Sequence, residues 1–263
     1  MMKRLVIALS LVPMLAHADP EPRKRWYVRA GVAYVHPFSS SSELELADVN
    51  GPASLAVSNG PIAGSGSSVE ATTILAATIG WVTPWMDGHL SLETILGPPL
   101  DVKFTATGSL ANMSIAPTAL GIPTGIPPLG PDLGEAKGVP PIVTAVYTLN
   151  PLAKVRPYVG GGLSVLFAYN AHTTNPNLTS TDMSIAPAPG LVLQTGLDAT
   201  LYHRIYARVD VKFIALMYAR AEVHHIQVAA PDLPLFGDVE VGTAKMGVWV
   251  NPLIVQAGIG TDF

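Results

Sequence analysis

Ile205-Tyr206-Ala207-Arg208-Val209-Asp210-Val211-Lys212-Phe213-Ile214-Ala215 decides the fold. Ile205, Ala207, Val209, Val211, Phe213 and Ala215, with Met217 beyond them, are apolar and share one face, and between them Tyr206, Arg208, Asp210 and Lys212 begin the other. Successive side chains of a strand point to opposite faces, so this period of two predicts a strand with one greasy face and one ionised face. Leu191–Tyr202 alternates in the same way. The same reading places eight strands near Trp26–Phe38, Thr72–Val82, His89–Leu100, Pro141–Asn150, Arg156–Asn170, Leu191–Tyr202, Ile205–Glu222 and Gly247–Phe263. The links between them alternate in length. Thr83–Gly88, Asn150–Val155 and Tyr202–Arg204 are short; Ser39–Ala71, Thr105–Gly138, Ala171–Gly190 and His224–Gly242 are long.

Composition agrees with an all-β chain that is not coated for water. Of 263 residues, 13% are charged and 49% hydrophobic, with 24 glycines and 24 prolines. Such content disfavours a helical bundle and disorder alike. There is no cysteine, hence no disulfide framework and no thiolate chemistry. The formal net charge of −4 argues against nucleic acid as a partner. Lys3 and Arg4, an apolar run Leu5–Leu15 and Ala16-His17-Ala18 read as a secretory signal peptide, residues 1–18, ahead of a barrel over residues 19–263. No later run is long and apolar enough for a membrane helix. A closed β-barrel reconciles the hydropathy with that absence, because only helices and closed barrels satisfy their backbones in lipid.

The fold class expected is therefore all-β: an eight-stranded antiparallel transmembrane up-and-down β-barrel with short periplasmic turns and long outer loops. A soluble lipocalin-like barrel has the same strand count with its apolar face inside. The membrane orientation is favoured by aromatics near strand ends (Trp26, Tyr34, Trp81, Tyr147, Tyr169, Phe213), by the mutually neutralising Arg208, Asp210 and Lys212, and by a last strand ending in Phe263.

Five segments resemble the OmpW family of bacterial outer-membrane proteins, which includes AlkL-like channels. They are Trp26–Gly31, Pro140-Pro141 through Tyr147, Arg156-Pro157-Tyr158-Val159-Gly160 with Gly162-Leu163, Gln194–Asp198, and Asn251-Pro252 through Gly258, Ile259, Gly260 and Phe263. The resemblance implies the outer membrane of a Gram-negative bacterium and passive entry of small hydrophobic molecules. It implies outer-membrane lipid and lipopolysaccharide as surroundings, and Phe263 as a signal read by the barrel-assembly machinery. The loops depart from the family pattern, with Thr105–Gly138 unusually rich in proline and glycine.

With apolar faces toward lipid, the inward residues follow. Arg29, Glu93, Asp198, Arg208 and Asp210 form a charged lumen floor; Val35, Ile142, Leu166, Val192, Ile214, Leu216 and Tyr218 line an apolar upper lumen above it. A closed floor would send a hydrophobic guest sideways into the bilayer, though such charges also serve simply to fill a small barrel. Pro98, Pro99, Pro140 and Pro141 cannot donate to the ladder. They either open a lateral window or merely end two strands. The apolar residues of Ala119–Leu133 either fold over the mouth as a collecting surface or remain a disordered loop.

Other signals carry less. Gly160-Gly161-Gly162 precedes no helix and is no phosphate cradle. His224-His225 would point to opposite sides and make a poor metal pair, so neither a metal nor any cofactor is expected. Asn112 and Asn177 match a glycosylation pattern with no role in a bacterial outer membrane. Met113–Pro117 and Met183–Pro187 repeat five residues by chance. His36 with Ser39–Ser42, or His172, would be needed for a lipid-modifying enzyme, but no triad spacing supports one. The alternatives are thus a transport barrel, a barrel that only displays its loops, and an enzyme; the first is expected.

Overall fold

A row of inward side chains at every second position is what the computed structural model shows, over residues 25–152, 154–229, 232 and 238–263. The expected signal peptide lies outside the described residues. Eight strands form the wall: β1 (Trp26–Ser41), β2 (Thr72–Val82), β3 (Leu90–Leu96), β4 (Ile142–Thr148), β5 (Val155–Thr173), β6 (Ala188–Tyr202), β7 (Ile205–Ala215) and β8 (Asp238–Asp262). Each runs antiparallel to the next along the chain. β8 pairs back on β1 from Tyr27↔Asp262 to Ser41↔Val248. Phe263 N donates to Trp26 O at 2.8 Å and completes the seam. The ring closes without being evenly barrel-shaped.

The facing follows the greasy-outward reading. On β7, Val209 is 45% exposed while Asp210 is 0% exposed. Tyr206, Arg208, Lys212 and Ile214 are buried with Asp210. Trp26, Tyr34, Tyr147 and Tyr169 are exposed on the outer surface, where amphipathic rings suit the membrane–water boundary. The Trp26 and Trp81 rings pack at 6.5 Å.

The expected long loops are largely sheet. Leu100–Gly108 pairs with Asp132–Val139, and Asp132–Val139 with the upper part of β5. Leu178–Ile185 pairs with Tyr218–Ala229, and the latter with the upper part of β8. Ser65–Val69 adds to Leu100–Gly108. These extensions lack a clean period of two, since Ser65-Gly66-Ser67-Ser68-Val69 carries almost no apolar alternation.

Two expected strands are interrupted. The third stops at Leu96 and resumes at Leu100, leaving Gly97-Pro98-Pro99 between. The seventh stops at Ala215 and resumes at Tyr218. Leu216 adopts φ +61°, a left-handed conformation that breaks the pleat. This corrects two expected upper-lumen residues. Leu216 is 62% exposed, and Met217, expected on the outward face with Val209, takes the buried place. Tyr218 falls directly opposite the outward Trp249, with ring centroids 4.9 Å apart, so it lies on the outer face. One residue out of the pleat exchanges the faces of everything after it.

The lipid-facing row of β7 yields a direct test. Val209→Arg places a cation against acyl chains and should cost about 2–4 kcal/mol near the bilayer midplane. Heat-modifiable gel mobility is expected to show a reduced folded fraction for Val209→Arg and a native one for Val209→Ala.

Candidate functional site

The lower lumen is filled by a neutral ionic lattice. Arg29, Arg208 and Lys212 meet Glu93, Asp198 and Asp210, all nearly inaccessible. Arg29 Nη1 pairs with Glu93 Oε1, and its Nη2 lies 3.0 Å from Asp198 Oδ2. Arg208 Nη2 reaches Glu93 Oε2 at 3.1 Å and Asp210 Oδ2 at 2.9 Å. Lys212 Nζ pairs with Asp210 Oδ1. The expected floor residues Arg29, Glu93, Asp198, Arg208 and Asp210 are therefore brought together from four strands of the wall, β1, β3, β6 and β7.

Neutral polar groups complete the lattice. Tyr27 Oη donates to Glu93 Oε1 at 2.8 Å, and Tyr158 Oη to Asp210 Oδ2 at 2.7 Å. Gln194 Nε2 bridges Glu93 Oε2 and Asp210 Oδ2 at 2.9 and 2.8 Å. Arg29 Nε donates to Tyr206 Oη at 3.0 Å. Arg29 also lies 4.0 Å from the Tyr27 ring centroid, and Arg208 4.3 Å from that of Tyr158. These are cation–π contacts in a desolvated place.

Glycines make room for the tyrosines. Tyr27 stands opposite Gly80, Tyr158 opposite Gly196 and Tyr206 opposite Gly260. A Cβ on any of these glycines would meet the ring of the facing tyrosine. Lys212, Gln194 and the three tyrosines were not among the expected floor residues. Parity was the available signal, since Tyr27 shares the face of Arg29, and Tyr206 and Lys212 that of Arg208.

Above the floor the lumen turns apolar. Val35, Ile142, Val192 and Ile214 are buried in one cluster with Met217 and Ile254, and Leu166 packs against it. Higher still, Ala106, Leu110, Met246 and Val248 form a second cluster under the cap. The Ala119–Leu133 segment folds over the mouth. Asn175 Nδ2 donates to Leu129 O at 2.8 Å and Asp132 O at 2.6 Å, and Asn177 Nδ2 reaches Pro128 O at 3.3 Å. Leu120 and Ile122 remain exposed at the rim, beside an apolar hollow lined also by Ala53, Val57 and Val241.

The four prolines sit where the wall ladder is interrupted. Below them Val143 pairs with Thr94; above them Gly138 pairs with Leu100. On the other flank, β2–β3 pairing ends at Ala77↔Leu96. A cavity opens across this interruption. Its lining runs from the lumen residues Ala33, Val35, Ile142 and Ile254 to Gly97, Pro98, Pro140 and Pro141 in the wall.

The weaker signals resolve simply. His36 stacks on Tyr34 and meets Phe38 edge-on, on the outer face. Ser39 and Ser41 accept from Val69 N and Ser67 N instead of forming a nucleophile–base pair with it. His172 lies 3.3 Å from Glu135, and His225 3.1 Å from Glu240. Among the described residues no group of three or more metal-ligating side chains occurs.

Comparison with known proteins adds the following. The OmpW family model matches residues 98–263. The crystal structure of the outer-membrane protein OprG from Pseudomonas aeruginosa is similar at a TM-score of 0.67 and 18% identity, covering 93% of this chain and 98% of that one. The solid-state NMR structure of AlkL in lipid bilayers gives 0.49 and 20%, with 97% of each chain covered. The solution structure of the outer-membrane protein W of E. coli gives 0.49 and 17%, over 92% of this chain and all (100%) of that one. A comparison with curated proteins returns no match.

The lattice predicts asymmetric mutational costs. Glu93→Gln leaves Arg29 and Arg208 short of a buried counter-charge and should destabilise the barrel by about 3–5 kcal/mol. Urea unfolding in detergent micelles reads this. Gly196→Val should also lower stability, because the added side chain displaces the Tyr158 ring.

Proposed function

The chain belongs to the OmpW family, whose members are barrels of the Gram-negative outer membrane, and we propose that it admits small hydrophobic molecules passively and releases them sideways into the bilayer. The observation that carries this reading is the cavity running from the apolar lumen to the prolines of the wall, above a floor packed with paired charges. A guest entering past Leu120 and Ile122 meets apolar lining at each level. The ionic lattice bars the axial way down. A neutral apolar molecule cannot solvate those charges, and displacing their partners costs more than it returns.

Leaving through the wall is downhill. Each Å² of apolar surface moved from water to hydrocarbon gains about 25 cal/mol. A wall opening in lipid is tolerable only where the missing donors are absent by chemistry. Proline supplies that condition, since it has no N–H to leave unpaired. The process needs no energy source and no cofactor. In the same reading, Phe263 is the residue offered to the barrel-assembly machinery, and lipopolysaccharide and phospholipid surround the aromatic-bearing wall.

The test replaces Pro98, Pro99, Pro140 and Pro141 together by valine or threonine, which restores donors and β propensity to the interruption. Uptake of N-phenylnaphthylamine by cells carrying equal amounts of folded barrel should fall toward that of cells lacking the chain. Uptake that stays at the native rate sinks lateral release.

A further inference from the structure

We infer that Phe104 is the specificity-determining residue of this barrel: a gate between its outer and inner chambers that sets the size of molecule admitted. The inference rests on the passage reading above and adds a position and a selectivity to it.

The apolar interior is divided into two chambers. The outer one lies under the cap, between Leu110, Leu129, Met246 and Val248. The inner one lies beside the wall opening, and shares Val35, Leu100, Pro140 and Ile254 with the cavity at the prolines. Among the described residues, one side chain lines both chambers, and it is Phe104. The ring therefore stands on the boundary between the cap chamber and the chamber beside the prolines.

Local structure makes the ring a partition. In Leu100–Gly108, Asp101 and Lys103 are exposed on the outer face, while Leu100, Val102 and Phe104 line the interior. The cross-strand neighbour of Phe104 on one side is Val69. On the other side it is Gly134, next to a register shift between Asp132 and Gly134. A strand phenylalanine has two common χ1 wells, and flanking side chains normally decide between them. Gly134 presents none, so a directly paired side chain faces Phe104 from the Val69 side alone. A change of χ1 at Phe104 would break no hydrogen bond, because a phenyl ring makes none.

Size selection follows. A hydrophobic pocket discriminates by shape, by about 10–200-fold for each methylene that does not fit. Phe104 is the one aromatic ring among the described side chains lining the two chambers, which makes it the bulkiest obstacle between them.

The experiment measures entry of naphthalene and of the wider pyrene into cells carrying the native chain, Phe104→Ala, Phe104→Leu or Phe104→Trp. Heat-modifiable mobility confirms equal folded barrel. The pyrene-to-naphthalene rate ratio should rise by about tenfold in Phe104→Ala, rise less in Phe104→Leu, and fall in Phe104→Trp. Should Phe104→Ala fail to assemble, Phe104→Leu and Phe104→Trp carry the same opposed shifts. Chain-dependent naphthalene entry with an unchanged ratio in every variant overturns the gate and leaves passage standing. Entry of neither probe above cells lacking the chain overturns passage and the gate together.

Discussion

The structure depends on one constraint: ionised side chains enclosed by eight strands are shut off from bulk water and must neutralise one another. Arg29, Arg208 and Lys212 against Glu93, Asp198 and Asp210 meet that constraint within hydrogen-bonding distance. Because the pairs come from β1, β3, β6 and β7, they also tie distant strands across the lumen. Tyr27, Tyr158 and Tyr206 fill the space between them only because glycines face them. Outward, the same strands present Val209, Leu193 and Ile259 to lipid. One alternating pattern thus serves a hydrocarbon solvent outside and an ionic solid inside.

That arrangement divides the lumen by chemistry along its axis. The floor is densely paired and charge-neutral; the upper lumen offers an apolar surface. The wall loses continuity at the level of the prolines, where the cavity reaches it. Above this level the chain does not become loop. Strands extend beyond the ring and a cap is held by Asn175 and Asn177, so the mouth is a built chamber with an apolar rim.

Legibility in the sequence tracked the strength of the periodic signal. β6 and β7 were readable because each alternation there separates a lipid-facing residue from a lumen-facing one. Floor charges were readable for the same reason, and Tyr27, Tyr206 and Lys212 share their parity. The extensions were not readable, because Ser65–Val69 and Asp132–Val139 are held by pairing partners far away in sequence and carry little alternation. Leu216 and Tyr218 were misplaced because a single left-handed residue reverses the faces, and leucine gives no warning of it.

By itself the sequence determined the all-β class, eight wall strands, which face meets lipid and which charges meet each other. Those are consequences of period two and of the cost of unpaired charge in a low-dielectric interior. Only the tertiary structure decided where the wall is interrupted, that the outer segments continue as sheet, and that Phe104 stands between two chambers. Such features depend on which residues are brought opposite each other across the lumen, and cross-lumen distance is set by closure of the ring and not by any local pattern of residues.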